Sequence, residues 1–332
     1  MKNVSHYISR YLLLLLLGLL FASYSAAQGF VPRIVFASNR DGDWDIYSMD
    51  ENGDNVVQLT NNPASDRFPG CSPNGRRIAF ESERGVTPDL YVMDSDGSNV
   101  VRLTQDNFLE GRPSWTPEGT KIAFSSFRFA VGNSEIYVMD GDGNNLINLT
   151  NHKWQDVRPS WSPDGSKMAF TSMRDGRFNT PRHIFVMNAD GTERRNLTAD
   201  TQLTNSRNPS WSPDGRKIAF DSRRLFRDGQ RDDIFVITAK GEELERLTNK
   251  EGANIQPVYS PDGTNIAFVS TRDGGYNIYL MDTNGKNVVR LTKTPHGIEN
   301  LNPAWPHGAL AVNPSGKLPI SWGELKRTHN PR

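Results

Sequence analysis

The hydrophobic positions of this chain fall in short runs, and no helical stripe is visible. Runs of about four to six residues, rich in Ile, Val, Phe and Tyr, alternate with clusters of Gly, Pro, Asn and Asp, which is typical of strands joined by tight turns. One triplet, Ile-Ala-Phe or a near variant, returns throughout. Its copies end at Phe36, Phe80, Phe124, Phe170, Phe220 and Phe268.

The spacing between successive copies is 44, 44, 46, 50 and 48 residues. A period in the forties, with several short apolar runs in each unit, predicts the blades of a β-propeller. The phrases RPSWSPDGSKMAF (158–170) and NPSWSPDGRKIAF (208–220) are nearly identical. Such repetition indicates like units that stack on one another, whereas a single catalytic pocket needs unlike residues that converge.

Each unit divides into four predicted strands. The first is Pro-x-aromatic, as in Pro113–Trp115, with Pro69–Cys71 as a degenerate copy, and the second is Ile-Ala-Phe-x-Ser. The third is like Ile136–Met139, and the fourth ends in Leu-Thr. Ser-Pro-Asp-Gly turns join first to second strands, because Pro fixes φ at the second turn position and Gly supplies a positive φ.

The chain enters the first unit at a second strand, residues 33–38, and leaves the last at a first strand, residues 302–305. We therefore expect these two segments to pair and to close a six-bladed, all-β ring with less than about 5% helix. Such pairing removes the open sheet edges that would otherwise promote aggregation.

The phrases WSPDGxKIAF, IYVMDxDG and LT resemble those of the TolB-type, WD-repeat-like propellers, and the likeness covers about residues 31–306. The resemblance implies a six-bladed propeller that acts as a non-catalytic protein-interaction or ligand-binding platform of the cell envelope. Some enzymes with similar repeats, such as the oligogalacturonate lyases, hold a metal with histidines in the channel mouth. A polysaccharide-degrading enzyme is therefore the alternative function.

The first 27 residues have the features of a secretory signal: Lys2 and Arg10, an apolar run at 11–21, and the small residues Ser25–Ala27. We expect cleavage after Ala27, a propeller over 28–306 and a tail over 307–332. The product would be periplasmic or secreted, without a membrane span after cleavage. Because Cys71 is the only cysteine, no disulfide can form within one chain, and we expect Cys71 to be a small buried hydrophobe.

The charge balance excludes one class of partner. With 38 basic and 38 acidic residues, the chain has no excess of positive charge to neutralise a phosphate backbone, so we expect no nucleic-acid partner. The expected partner is a protein or peptide of the envelope, bound by a monomer.

Candidate binding residues stand three positions before each first-strand proline: Asp66, Glu110, Asp156, Ser206, Asn254 and Asn300. Ring symmetry would bring them to the channel mouth, with an acidic arc on three blades that could take a cation, a basic peptide or a sugar. Alternatively, they order their loops by local hydrogen bonds. Nearby arginines could pair with them: Arg67, Arg112, Arg158 and Arg207.

A second recurrent pair is predicted across each hairpin. The arginine of Ser-x-Arg recurs at Arg40, Arg84, Arg128, Arg174, Arg224 and Arg272. The residue that opens the third strand is Asp45, Asp89, Glu135, His183, Asp233 or Asn277. We expect these arginines and third-strand residues to pair in a structural role.

No catalytic, cofactor or metal motif stands out. The chain has no HExxH, paired-cysteine, GxSxG, P-loop or dinucleotide signature, so we expect no cofactor and name no catalytic residue. His152 and His296 are the only candidate metal ligands, with Asp156 and Asn300 nearby. The lyase alternative requires these histidines to converge on one ion.

Overall fold

The four predicted strands of each repeat form one antiparallel sheet. The structure is a computed structural model, and it describes residues 33–130, 133–174, 182–224, 231–249 and 252–306. The proposed signal peptide and the proposed tail lie outside the described residues. All the regular secondary structure within the described ranges is β-strand, and the strands form six four-stranded sheets.

The innermost strand of each sheet carries the Pro-x-aromatic phrase. These strands are β4 (Asp66–Cys71), β8 (Glu110–Trp115), β12 (Asp156–Trp161), β16 (Leu203–Trp211), β20 (Asn254–Tyr259) and β24 (Asn300–Ala304). The strands next to them carry Ile-Ala-Phe: β1 (Ile34–Ser38), β5 (Arg77–Ser82), β9 (Lys121–Ala130), β13 (Lys167–Ser172), β17 (Lys217–Arg224) and β21 (Asn265–Ser270).

The two outer positions follow the predicted order. The third strands are β2 (Asp45–Met49), β6 (Asp89–Asp94), β10 (Asn133–Asp140), β14 (His183–Asn188), β18 (Asp233–Thr238) and β22 (Asn277–Asp282). The fourth are only two residues long: β3 (Val57–Gln58), β7 (Val101–Arg102), β11 (Ile147–Asn148), β15 (Arg195–Asn196), β19 (Glu245–Arg246) and β23 (Val289–Arg290). We number the blades 1 to 6, with blade 1 containing β1 to β3 and blade 6 containing β20 to β23.

The last strand closes the ring as predicted. β24 pairs antiparallel with β1, and Ala304 lies opposite Val35 and Asn300 opposite Ser38. Each inner strand contacts the inner strand of the next blade, and β24 contacts both β20 and β4. The chain is therefore a closed six-bladed propeller, with one blade built from both ends of the described chain.

The hydrophobic core lies between the blades. Each of six core clusters joins side chains of two adjacent blades, as where Ala79 and Val92 of blade 2 pack with Trp115 and Phe124 of blade 3. The phenylalanine of every Ile-Ala-Phe triplet is fully buried. The burial of these repeated apolar residues favours stacking and explains why the triplet recurs in every unit.

The Ser-Pro-Asp-Gly turns have the predicted form. In the turn after β12, the Gly165 amide donates to the Ser162 carbonyl at 2.9 Å, and Gly165 has a φ of +69°. The Ser162 hydroxyl donates to Asp164 at 2.6 Å and accepts the Lys167 amide at 2.9 Å. These bonds satisfy the turn's polar groups locally, so the face of the ring that carries these turns is built of repeated hairpins.

The inner strands differ from the prediction in two ways. Most of them begin at the polar residue three positions before the proline, and β16 begins earlier still. Each pairing with the neighbouring strand is also interrupted by a β-bulge, as between Arg67 and Gly70. A bulge adds one residue to one strand and redirects the side chains around it. The bulge therefore decides which side chains face the axis of the ring.

Candidate functional site

A cavity of about 200 Å³ lies where the six inner strands meet. Its lining includes the proline of every inner strand and the residues that flank each proline. Because the inner strands all run in the same direction through the ring, equivalent residues of the six blades lie at the same depth. The cavity is thus the central channel of the propeller.

The residue immediately before each inner-strand proline forms a ring around this cavity. We call this set the axial ring: Phe68, Arg112, Arg158, Asn208, Gln256 and Asn302. All six have a positive φ, between 50° and 60°. Residues other than glycine rarely adopt this conformation, and a following proline normally favours extended backbone. The inner-strand bulge holds them in it, and strained backbone of this kind is concentrated at functional sites.

Side chains of the axial ring contact one another around the channel. The Arg112 guanidinium carbon lies 4.1 Å from the centre of the Phe68 ring, which is a cation–π contact. On the other side, the Arg158 guanidinium donates to the Asn208 side-chain oxygen. The Gln256 side-chain oxygen accepts a hydrogen bond from the Asn302 backbone amide at 2.8 Å. These contacts fix the ring without making its members alike.

A buried carboxylate supports one side of the ring. Asp221, on β17, accepts a hydrogen bond from the Asn208 side-chain amide and one from the Gln256 backbone amide at 3.0 Å. It also forms a salt bridge with Arg207 at 3.1 Å, and Arg207 binds Asp232 at the same distance. Both acceptor oxygens of Asp221 are therefore engaged. Arg207 thus pairs with two carboxylates, of which Asp232 also binds Arg223 at 2.8 Å.

The remaining arginines at this end of the channel lack such partners. Burial and, to a smaller extent, the neighbouring Arg112 lower the pKa of Arg158 to about 9, although Asp221 opposes the shift. Burial also lowers the pKa of Arg112, against the opposing effect of Glu81, and Arg182 and Arg207 add to the decrease. Arg182 is also close to these positive charges, because burial and then Arg207 lower its pKa. The channel mouth is an electropositive site.

The acidic arc that ring symmetry suggested does not line this cavity. Asp66, Glu110 and Asp156 are buried at the first position of their strands, opposite a serine of the next strand. Each forms a salt bridge with the arginine of its blade's Ser-x-Arg, as Asp66 does with Arg84 at 2.7 Å. Each inner strand starts earlier than predicted, and this start places the carboxylate beside the arginine that it binds. The carboxylates are neutralised within the blade.

The other three members of that set have similar roles. The Asn254 side-chain oxygen accepts a hydrogen bond from Arg272 at 3.2 Å, and that of Asn300 accepts one from Arg40 at 3.0 Å. Ser206 and Ser222 share a hydrogen bond between their hydroxyl groups at 2.9 Å. The sequence allows either a binding site or local hydrogen bonds at these six positions, and the contacts observed there are local hydrogen bonds and salt bridges.

The predicted pairing of the Ser-x-Arg arginines with the residues that open the third strands was wrong. The residues that open the third strands bind the fourth strand: Asp89 pairs with Arg102 at 2.6 Å and Asp233 with Arg246 at 2.5 Å. The Ser-x-Arg arginines reach the first strand and stack on third-strand aromatics, as Arg40 does on Tyr47 at 4.6 Å. The side chain of Arg224 lies outside the described part of the structure. Pairing with the first strand is possible because each inner strand starts before its proline phrase.

The two candidate metal ligands have separate surroundings. The His152 ring nitrogen Nδ1 accepts the Trp154 amide at 3.3 Å, and burial lowers the pKa of His152. His296 lies near Gly274, in a loop of blade 6: its ring is 3.9 Å from where a Cβ would stand on that glycine. Among the described residues, no group of three His, Cys, Asp or Glu side chains could hold a metal ion.

The free thiol lies beside the channel. Cys71 is partly buried, packs against the core cluster between blades 1 and 2, and also lines the cavity. Burial raises the pKa of its thiol to about 12, so the nucleophilic thiolate is scarce at neutral pH. Its environment is that of a small apolar side chain.

Arg67, Arg112 and Arg158 are predicted at this site from the sequence, whereas Phe68, Asn208, Gln256 and Asn302 are not. Arg67 lies one residue before the axial ring, where its guanidinium carbon is 4.7 Å from the centre of a Trp44 ring. The signal for the missed residues is a column of the repeat alignment. That column, the position immediately before the inner-strand proline, holds an arginine, an amide or an aromatic residue in all six copies.

Comparison with known proteins identifies the family. The sequence profile described as the TolB beta propeller domain matches residues 23–128, 107–202 and 204–313, which together span most of the chain. The chain belongs to the TolB beta propeller domain family. Among the curated proteins, the TolB homolog of Chlorobaculum tepidum is 50% identical over 46 residues, a match that covers 14% of this chain and only 11% of that protein.

Solved structures of the TolB family share the fold. The crystal structure of TolB from Acinetobacter baumannii matches with a TM-score of 0.71 and 22% identity, over 86% of this chain and 70% of that one. A putative TolB from Agrobacterium tumefaciens matches with a TM-score of 0.63 and 23% identity, over 79% and 89%. An oligogalacturonate lyase from Vibrio parahaemolyticus is less similar, at a TM-score of 0.51 and 16% identity, over 75% and 86%. At these identities the likeness is one of fold.

Within the described ranges no helix is long and apolar enough to cross a membrane.

Proposed function

We propose that this propeller is a non-catalytic binding platform, and that its binding site is the channel mouth surrounded by the axial ring. The observation that carries the proposal is a contrast within the repeats. The scaffold repeats blade after blade, yet one strained backbone position presents a phenylalanine, two arginines and three amides to the same cavity. Unlike residues that converge on one point are typical of a ligand site.

The proposed partner is a protein or peptide of the cell envelope. Proteins named TolB share the fold, and the sequence of the first 27 residues favours export, so the proposed location is the periplasm or the exterior. The loops on the mouth side differ between blades in length and composition, which suits recognition of one particular partner. Nucleic acid is an unsuitable partner, because the chain has equal numbers of basic and acidic residues.

A metal-dependent polysaccharide lyase is the alternative function. Its support is the fold likeness to an oligogalacturonate lyase together with His152 and His296, which both lie in loops that precede an inner strand. The separate surroundings of the two histidines favour the binding platform, because a shared ion needs ligand bonds of about 2.0 to 2.2 Å from each.

The proposal can be tested by affinity capture from an envelope extract, followed by identification of the partner and direct titration with the purified partner. Wild type is compared with the double variant Arg112→Gln, Arg158→Gln and with Arg195→Gln, an exposed arginine beside the Ser-Pro-Asp-Gly turns. We expect wild type and Arg195→Gln to bind the same partner and the double variant to lose it. Equal capture by all three proteins would contradict the proposed site, and a stoichiometric transition metal in the purified protein would favour the lyase.

A further inference from the structure

The channel mouth has positive charge without a matching negative charge. Among the described residues, no carboxylate forms a salt bridge with Arg112, Arg158 or Arg182, in contrast to Arg84, Arg128 and Arg174. Desolvated arginines normally have a charged partner, because an unpaired buried charge is costly. The nearest acidic groups do not remove the imbalance. Asp221 is engaged by Arg207, Asn208 and Gln256. Glu81 forms no salt bridge within the described structure, and burial raises its pKa to about 7, so it supplies at most part of one negative charge at neutral pH.

An unpartnered polar side chain reaches the same cavity. Asn302 is only 9% exposed and lines the channel, and its side-chain oxygen has no hydrogen-bond partner within the described structure. Buried polar atoms are almost always hydrogen-bonded, so one that is not indicates a missing ligand or water. Because the oxygen and nitrogen of an amide can exchange places by rotation, Asn302 can offer a ligand either an acceptor or a donor.

From these observations we propose that the channel mouth binds the carboxylate of an acidic peptide side chain, between Arg112 and Arg158. This inference deepens the proposed function and depends on it. The face of the Arg112 guanidinium contacts Phe68, so its N–H groups remain available in the plane of the group. Arg158 uses one nitrogen to bind Asn208 and retains other N–H donors. Planar guanidinium groups bind carboxylates through paired hydrogen bonds.

The size of the cavity favours a peptide side chain over a complete small ligand or sugar. Ligand pockets for whole small molecules are usually about 300 to 1,000 Å³, whereas this cavity is about 200 Å³. A glutamate or aspartate side chain can enter it while the peptide backbone lies across the mouth. The amides of Asn208, Gln256 and Asn302 line the opposite side of the cavity and supply further polar contacts.

The test is a calorimetric titration of the full-length protein with hexaglutamate, hexaglutamine and trigalacturonate at low ionic strength. We expect hexaglutamate to bind wild type at least about tenfold more tightly than hexaglutamine. Each of Arg112→Gln and Arg158→Gln should weaken hexaglutamate binding by about tenfold or more, since charge-assisted hydrogen bonds are among the strongest. Arg195→Gln should leave it unchanged.

Thermal unfolding of the same variants separates binding from folding. Because relief of the repulsion between Arg112 and Arg158 offsets the lost contacts with Phe68 and Asn208, we expect neither glutamine variant to lower the melting temperature. Equal binding of hexaglutamate and hexaglutamine, or no effect of either arginine variant on hexaglutamate binding, would overturn the carboxylate site. If trigalacturonate binds more tightly than hexaglutamate and its binding depends on both arginines, the carboxylate would belong to a sugar acid, and the proposal of a peptide ligand would be overturned. Partner capture without hexaglutamate binding would refute only the proposed carboxylate site. Hexaglutamate binding without partner capture would refute only the proposal that the propeller is a protein-binding platform.

Discussion

Six side chains on the axis owe their positions to an unusual backbone conformation. The sequence predicts that arginines such as Arg112 and Arg158 lie near the inner-strand prolines. It does not predict that the residue before each proline is left-handed, because that position normally favours extended backbone. The conformation results from a bulge that forms only when the strand pairs with its neighbour. The axial ring therefore depends on tertiary pairing that no local sequence pattern specifies.

Glu81 gives the protein a specific pH dependence. Burial, with a smaller effect of Glu83, raises the pKa of its carboxyl from 4.5 to about 7 against the opposing effect of Arg112 and Arg67. The folded state therefore binds a proton more tightly than the unfolded state, so this contribution to stability is complete below pH 4.5 and is lost as pH rises through about 7. We expect Glu81→Gln to reduce the loss of stability between pH 5 and pH 8.

Urea unfolding of wild type and Glu81→Gln at both pH values measures this difference. Glu242→Gln, at an exposed position of blade 5, is the control and should unfold like wild type at each pH. An unchanged pH dependence in Glu81→Gln would show that its carboxyl titrates at its ordinary pKa.

The Ser-x-Arg arginines hold buried carboxylates, and removal of one should be strongly destabilising. The Arg174 guanidinium donates to Asp156 at 3.0 Å, and Asp156 is fully buried. Arg174→Ala should decrease the free energy of unfolding by about 3 to 5 kcal/mol, because it leaves a buried charge unpaired. Arg216 pairs with Asp214 at 3.9 Å on the surface, and Arg216→Ala should change stability by less than about 1 kcal/mol. Chemical denaturation of both variants makes the comparison, and similar losses would refute the structural role of Arg174.

The repeated strands were predictable in kind and order, because each carries its own apolar phrase and turn residues. Their ends were less predictable. Inner strands such as β12 begin at a polar residue that reads as part of a loop, since Asp156 becomes compatible with burial only through its salt bridge to Arg174. The sequence contains both residues, but their contact depends on strand register. For the same reason the predicted pairing of the Ser-x-Arg arginines with third strands was wrong.

The inner-strand tryptophans join adjacent blades. Trp211 is almost fully buried in the cluster between blades 4 and 5, and its indole N–H donates to the Ser160 carbonyl of the preceding blade at 3.1 Å. Trp211→Ala should cost about 3 to 5 kcal/mol of stability, the usual effect of emptying a buried aromatic site. Trp211→Phe keeps a ring and loses the hydrogen bond, so it should cost less than Trp211→Ala. Equilibrium unfolding measures both, and equal losses would contradict the packing role.

Closure of the ring was the most far-reaching prediction from sequence, and it is confirmed by the pairing of β24 with β1. It follows from counting strands alone, because the described chain starts with a second strand and ends with a first. The site was much less predictable than the ring. Six similar units specify their own stacking, whereas the channel lining depends on how the units differ at one position.

Loss of the closing strand should destroy cooperative folding. Deletion of residues 300–332 removes the inner strand of blade 1, which pairs with β1 and contacts the inner strands β4 and β20 on either side. We expect a broad, non-cooperative thermal transition. Deletion of residues 307–332 keeps every described strand and is the control, for which we expect a sharp transition. A sharp melt of the larger deletion near the wild-type temperature would contradict closure by β24.

The proposed binding site is the axial ring, and photo-crosslinking from that ring tests this assignment most directly. Benzoylphenylalanine replaces Phe68, which lines the channel, or in a matched variant Val57, which is exposed on the outer edge of blade 1. After irradiation of intact cells, we predict that a protein partner is joined to position 68, that Arg112→Gln together with Arg158→Gln abolishes this adduct, and that position 57 gives no such adduct. An adduct with the partner at position 57 and none at position 68 would contradict the assignment.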